Sequence, residues 1–270
     1  MLSIPVDVLP HILGHLDKAS LAKTCQLNKI CCSCSQDVLY RNIQISGNFK
    51  VCETLAQSTH LAKRVRLFGI LTFHGTIRDE LLRKSLQNMT NLRVLIFFCS
   101  ADLSVLDGCT FRLIAFYGSF FQSEPLLVPF LQSQPSLKDV TLGPLFGFGN
   151  DVTFAPTCLP NLTRISADFS WLPQLIPNRP VTEVTSIERG VGDSVDLSFF
   201  TLSTTPIWKL VADYNRLYPT PIPLLASIFP SLAYLCLSYT AFLDSKETVR
   251  FINNFFNPNR MVTMSIIDYH

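Results

Sequence analysis

"LKDVTL" (137–142) is the stretch on which the reading of the fold turns. Leu137, Val140 and Leu142 give an apolar-x-x-apolar-x-apolar unit whose end alternates with the period of two that marks a half-buried strand. Followed outward, the unit recurs. Upstream it stands as "YRNIQI" (40–45), "AKRVRL" (62–67), "LRVLIF" (92–97) and "FRLIAF" (111–116). Downstream it stands as "LTRISA" (162–167), "VTEVTS" (181–186), "IWKLVA" (207–212), "LAYLCL" (232–237) and "MVTMSI" (261–266). With the middle apolar residue as marker, the units sit at 43, 65, 95, 114, 140, 165, 184, 210, 235 and 264. The gaps are 22, 30, 19, 26, 25, 19, 26, 25 and 29 residues, a narrow spread kept nine times running. Such a period is the signature of a stacked repeat, each unit too small to bury its apolar face alone.

Each unit supplies a short strand that pairs in parallel with the next, and the intervening segment covers the other side. "DELLRKSLQNM" (79–89), "EPLLVPFLQSQ" (124–134), "TPIPLLASIF" (220–229) and "KETVRFINNFF" (246–256) read as helical. "QPSL", "LPNL" and "FPSL" lead into three strands, with Pro135, Pro160 and Pro230 stopping the preceding helix. Residues 46–270 therefore resemble the leucine-rich repeats of F-box receptor proteins. The asparagine ladder usual there is at best partial: five residues past the marker stand Ser100, Ser119, Ser170, Asn215 and Thr240, but Ile70, Leu145 and Arg189 elsewhere. The expected fold class is α/β: a leucine-rich-repeat solenoid, parallel sheet on the concave face and helices outside, preceded by a helical module.

That module occupies the start of the chain. Pro5 and Asp7 suit a helix N-terminus, and Val8, Leu9, Ile12, Leu13 and Leu16 form an amphipathic set ending near Asp17, with Pro10 implying a kink or a short first turn. Ser20 reads as the N-cap of a second helix running to about Leu27. In a third helix Leu27, Cys31, Cys34 and Val38 fall on one stripe, which makes the cysteines of "KICCSCSQDV" (29–38) small core hydrophobes. A zinc site built from Cys25, Cys31, Cys32, Cys34 and a histidine is disfavoured. The spacing C-x5-C-C-x-C does not give two separated pairs, and His11 and His15 lack the acidic residue of H-E-x-x-H, since position 12 is Ile.

Residues 4–45 also resemble an F-box, particularly the fungal sort. The resemblance is carried by Ile4-Pro5-Val6-Asp7-Val8-Leu9, Ile12-Leu13, Leu16, Leu27-Asn28-Lys29 and Val38-Leu39-Tyr40-Arg41-Asn42-Ile43. Two positions depart from it: Cys31 stands where the family usually carries a large aromatic, and Ile4 replaces the usual Leu. The resemblance implies a three-helix module docking on the Skp adaptor of a cullin–RING (SCF) ubiquitin ligase. Ile4, Pro5, Leu9, Ile12, Leu13, Leu16, Leu27, Cys31 and Tyr40 would share core and adaptor contacts. The domains would be 1–45 and 46–270.

Composition bounds the rest. Charged residues are 16% and hydrophobic residues 48%, a chain of many buried segments. The net charge of +2, with no Lys/Arg run, argues against nucleic-acid binding. No apolar run nears the ~18 residues of a membrane span, and no signal peptide is read before Asp7, so a cytoplasmic or nuclear location is expected. Nine scattered cysteines are then reduced thiols without metal or other cofactor. Nucleotide-binding glycine motifs and Ser/Cys–His–Asp arrangements are missing, and Asp79-Glu80 sits on a solvated helix face, so no enzyme is expected. The last unit ends directly before His270, with no segment read as a cap.

A repeat of this kind binds on its concave sheet face. The early strands would present Val94, Ile96, Phe98, Leu113, Ala115 and Tyr117, and the later ones Arg164, Asp168, Glu183, Lys209, Asp213 and Tyr234. Of these, Ile96, Phe98, Tyr117, Arg164, Asp168, Lys209, Asp213 and Tyr234 are the expected contacts to a protein substrate. The rival readings are a repeat-based interaction protein outside any ligase and, behind it, a zinc protein.

Overall fold

A computed structural model describes residues 5, 7–47, 49–71, 79–99, 102–119, 124–143, 154–186, 196–213, 217, 222–239 and 263–268. The chain forms a mixed α/β fold in two compact units, residues 1–116 and 117–270. The expected boundary after residue 45 falls inside the first unit.

The first unit opens with α1 (Leu9–Leu13), α2 (Lys18–Thr24) and α3 (Lys29–Arg41). Pro10 lies in the first turn of α1, where its missing N–H costs nothing, so the helix starts at Leu9 rather than near Pro5 and has no kink to accommodate. The cap of α2 is Asp17, not Ser20. The Asp17 carboxylate accepts from Ser20 N at 2.8 Å and from Ser20 Oγ at 3.0 Å. Asn28 caps α3 by accepting from Cys31 N at 2.8 Å. That cap leaves Leu27 outside the helix and 72% exposed, so the expected stripe loses its first member. The helices meet on one buried residue each, Leu13, Leu21 and Cys34, with Leu9, Val38 and Leu39 around them.

α3 runs without a linker into β1 (Asn42–Ile45), followed by α4 (Lys50–Gln57), α5 (Thr59–Ala62), β2 (Leu67–Ile70), α6 (Asp79–Asn88), β3 (Val94–Phe97) and the first residues of β4 (Ala115–Gly118). β1, β2 and β3 pair in parallel, with Ile43, Phe68 and Leu95 in register. In the second unit come α7 (Glu124–Gln132), β5 (Asp139–Leu142), β6 (Arg164–Ala167), α8 (Leu172–Leu175), β7 (Glu183–Ser186), β8 (Lys209–Asp213), α9 (Ile222–Ile228), β9 (Tyr234–Tyr239) and β10 (Thr263–Asp268). β5 to β10 pair in parallel in chain order, and Val140, Ile165, Val184, Leu210, Leu235 and Met264 form one row.

Eight of the ten markers read from the sequence are thus the residues that stack at the middle of the strands. Two are corrected. Phe68, not Val65, pairs with Ile43 and Leu95. In β4 the central residue is Phe116 rather than Ile114, because Ile114 N and Ala115 N both donate to Arg93 O, as Arg93 N and Val94 N donate to Arg66 O one repeat earlier. At Val65 the cause is a second buried position three residues before the central one: Val65, Leu92, Leu113, Leu137, Leu162 and Val181 are all fully buried. Leu113 is therefore core rather than a surface residue.

The expected helices over 79–89, 124–134 and 220–229 form as α6, α7 and α9. The one expected over 246–256 lies outside the described residues, as do Ser100, Asn215, Thr240, Leu145 and Arg189 of the expected asparagine ladder. Asparagines do bridge successive repeats, but in the turn before the strand. Asn91 Nδ2 donates to Lys63 O at 2.8 Å and Asn161 Nδ2 to Pro135 O at 3.0 Å. Such bonds satisfy turn carbonyls that have no partner within their own repeat.

Candidate interaction surfaces

The helical module carries apolar side chains on two sides. Leu9 and Leu13 turn toward the small core, whereas Val8 and Ile12, one turn apart, are 40% and 46% exposed. Leu16 is 40% exposed, and Leu27 and Ile30, on either side of the Asn28 cap, reach 72% and 54%. Among the described residues, five of the eleven exposed large hydrophobics therefore fall within residues 8–30. This concentration of exposed apolar side chains makes the module a candidate interaction surface.

The residues expected at the adaptor contact divide by burial. Ile12, Leu16 and Leu27 are exposed, as is Pro5, whose carbonyl accepts from Val8 N at 3.1 Å to close the turn before α1. Leu13 is buried and Leu9 packs on the core, so both hold the module together. Cys31 is half-buried, and Tyr40 is half-buried on the wall of a cleft of about 420 Å3 that it shares with Leu39, Ile45 and Val51. Ile4 lies outside the described residues. Val8 belongs to the amphipathic set read from the sequence but not to the expected adaptor contacts, and Ile30 was not singled out from the sequence. Ile30 sits one residue from the Cys31 stripe, and only the position of the cap shows that it faces outward.

The cysteines of the module make few polar contacts. Cys25 Sγ donates to Cys32 O at 3.9 Å, and burial raises the Cys25 thiol above its usual pKa. Elsewhere burial pushes Cys52 up to about 11 and Cys109 up to about 12, which keeps both as unreactive thiols. Among the described residues no three His, Cys, Asp or Glu side chains converge as metal ligands would.

On the sheet of the second unit the strand register gathers four charges and an aromatic ring into one transverse row. Asp139, Arg164, Glu183, Lys209 and Tyr234 are successive neighbours across β5 to β9. Adjacent strands lie ~4.8 Å apart, so signs that alternate along the row fall within pairing distance. Arg164 Nη2 meets Asp139 Oδ2 at 2.8 Å, and Lys209 Nζ meets Glu183 Oε2 at 3.2 Å. Lys209 Nζ also stands 5.7 Å from the centre of the Tyr234 ring. Tyr117 extends the row by donating its hydroxyl to Asp139 Oδ2 at 2.8 Å, and burial with that carboxylate beside it pushes Tyr117 up to about 12. Opposite charges across neighbouring strands contribute roughly 0.2–1 kcal/mol each. The row thus fixes register while leaving Arg164 about half exposed.

Four residues expected at a substrate contact, Tyr117, Arg164, Lys209 and Tyr234, are in this row, joined by Glu183 and by Asp139, which the sequence reading passed over. Asp168 does other work: its Oδ1 accepts from Ser170 N at 3.0 Å and Ser170 Oγ at 2.9 Å, capping the short helix Phe169–Trp171. Asp213 ends β8, and its side chain lies outside the described residues. Ile96 and Phe98 are half-buried in and just after β3 of the first unit, beside Val94.

One buried charge escaped the sequence reading altogether. Arg179, 1% exposed, donates to four backbone carbonyls: Cys158 O at 2.7 Å, Gln174 O and Pro177 O at 2.9 Å, and Ala155 O at 3.1 Å. Its guanidinium, held below its usual pKa by burial, ties the turn before β6 to the end of α8. Among the described residues no helix is long and apolar enough to cross a membrane. No family model matches the chain, and no curated protein is detectably similar to it.

Proposed function

We propose that the protein is a non-catalytic substrate-recognition subunit of a cullin–RING (SCF) ubiquitin ligase. In this reading residues 4–45 act as an F-box that docks on a Skp-type adaptor, and the leucine-rich repeats bind the protein to be ubiquitinated. The observation that carries it is the set Val8, Ile12, Leu16, Leu27 and Ile30, large apolar side chains left in solvent by a module whose own core is complete without them. The parallel sheet with its charged row supports a rigid protein-binding half. The mechanism is scaffolding: holding a substrate lysine beside a charged conjugating enzyme raises its effective concentration, with no chemistry in this chain.

Ile12→Asp with Leu27→Asp tests this, because both side chains are exposed and their loss leaves the core intact. Wild type should co-purify with a Skp-type adaptor in equal amounts. The double variant should lose at least about 100-fold in affinity at about 1.4 kcal/mol per site, while its circular dichroism is unchanged. A second reading makes the helices a cap for the first strand, outside any ligase. It is favoured by the direct passage of α3 into β1 and by Arg64, which donates to Ser33 O at 3.0 Å and pairs with Asp37. A folded wild type that ignores the adaptor would establish that second reading.

A further inference from the structure

A net charge of +2 is nearly balanced, yet five of the 22 basic residues line one cleft of the first unit. They are Arg41, Lys63, Arg64, Arg66 and Arg93, around a volume of about 1050 Å3 at the start of β1, β2 and β3. Only two carboxylates share the lining, Asp7 and Asp37, and Asp37 is already paired with Arg64.

The repeat itself builds this concentration. Arg41, Arg66 and Arg93 each immediately precede a strand. Arg66 N donates to Arg41 O at 2.9 Å, and Arg93 N donates to Arg66 O at 2.9 Å. The three arginines are therefore rungs of one ladder, spaced at ~4.8 Å by the strand separation. In the second unit the same position carries Lys138, Thr163, Thr182, Trp208 and Ala233, so the run of arginines belongs to the first three strands. Arg66 gives Nη1 to Asn91 O at 3.0 Å. Arg41, Lys63 and Arg93 are exposed and have no carboxylate partner among the described residues. Like charges on neighbouring strands repel, and an anion between them turns that repulsion into attraction.

The chemistry of the anion follows from the donors. Guanidinium forks match phosphate oxygens in pairs, and three of them one strand apart suit a ligand with successive phosphate groups. The cleft is several times larger than one tetrahedral anion needs. Its lining is mainly polar, with Pro10, Val38, Leu67 and Val94 as its apolar members, whereas a peptide site adds apolar pockets for alternate side chains. We propose that this cleft binds a small polyanion carrying two or more phosphate groups. The helical module shares this cleft through Pro10, His11, His15, Asp37 and Val38.

Inorganic tripolyphosphate is the probe, titrated calorimetrically into the full chain at low salt beside inorganic monophosphate. The expected result is saturable 1:1 binding of tripolyphosphate, much weaker binding of monophosphate, and affinity that falls as salt screens the site. Arg41→Gln with Arg93→Gln should weaken tripolyphosphate about 100-fold, at about tenfold per charged contact. Lys84→Gln, on an exposed residue outside the cleft, should leave tripolyphosphate binding unchanged. Without ligand the double variant should melt no lower than wild type, since it removes only unpaired like charges. Absence of binding, an equal loss in Lys84→Gln, or a lowered melting temperature in the unliganded double variant would overturn the proposal. So would a diphosphorylated peptide or an oligonucleotide that displaces tripolyphosphate at lower concentration, because the cleft would then serve a macromolecule.

Discussion

Replacing Arg179 tests how the second unit holds its turns. The side chain is 1% exposed and makes four hydrogen bonds of 2.7–3.1 Å, all to carbonyl oxygens. Arg179→Met keeps much of the volume and removes every donor. Each charged hydrogen bond contributes about 1.5–3 kcal/mol net, but the four share one side chain and do not add. Relief from burying a cation offsets several kcal/mol. The balance is a loss of about 3 kcal/mol. Arg179→Lys discriminates between charge and geometry. An ammonium keeps the charge, but its donors sit on a single atom and cannot reach Ala155 and Cys158 on one side and Gln174 and Pro177 on the other. The lysine variant should therefore also lose about 3 kcal/mol. Trp171, buried against Phe154 at a ring distance of 5.5 Å, reports locally once the exposed Trp208 is changed to Phe. Urea unfolding followed by Trp171 emission gives the loss. A methionine variant within about 0.5 kcal/mol of wild type, or a lysine variant that restores the wild-type midpoint, would refute the reasoning.

Two glycines should respond differently to alanine. A Cβ on Gly143 would lie 2.4 Å from Ser119 Cβ and 3.0 Å from Ser119 Cα, so Gly143→Ala must move backbone and should cost about 2–3 kcal/mol by thermal melting. A Cβ on Gly69 meets the flexible Gln44 Cγ at 3.2 Å, and Gly69→Ala should cost under about 1 kcal/mol. Tyr117 is raised to about 12 by burial and by Asp139, so the folded state keeps its proton above the ordinary phenol value of 10.0. Its contribution is complete below pH 10.0 and is lost as pH rises toward about 12. Tyr117→Phe should flatten that alkaline fall in stability and remove a tyrosinate absorbance phase centred at about 12.

The repeat was legible because its signal is redundant. Val140, Ile165, Val184, Leu210 and Leu235 each alternate with a polar neighbour and recur at a near-constant period. Register failed at Val65, itself the buried residue three positions before Phe68, and at Ile114, an exposed residue two positions before Phe116 whose unit fits the same apolar pattern. Backbone hydrogen bonds decide between the two, and no hydropathy pattern contains them. The caps were half legible. Asp17 and Ser20 are both good N-cap types, and only the geometry shows the aspartate accepting and the serine donating. The charged row was read one strand at a time, so Asp139, which joins Tyr117 to Arg164, went unnoticed. The arginines at 41, 66 and 93 looked scattered for the same reason: they are 25 and 27 residues apart, and only the period of the repeat makes them neighbours. Arg179 gives no sequence signal, because its partners are all carbonyls.

Hydrogen exchange of the chain, alone and with a Skp-type adaptor, tests the central proposal most directly. The account predicts slowed exchange at the amides of residues 8–16 and 27–31, around Ile12, Leu16, Leu27 and Ile30, with the strands of residues 117–270 unchanged. Protection confined to the Asp139–Tyr234 row, or identical exchange with and without a saturating adaptor, would contradict it.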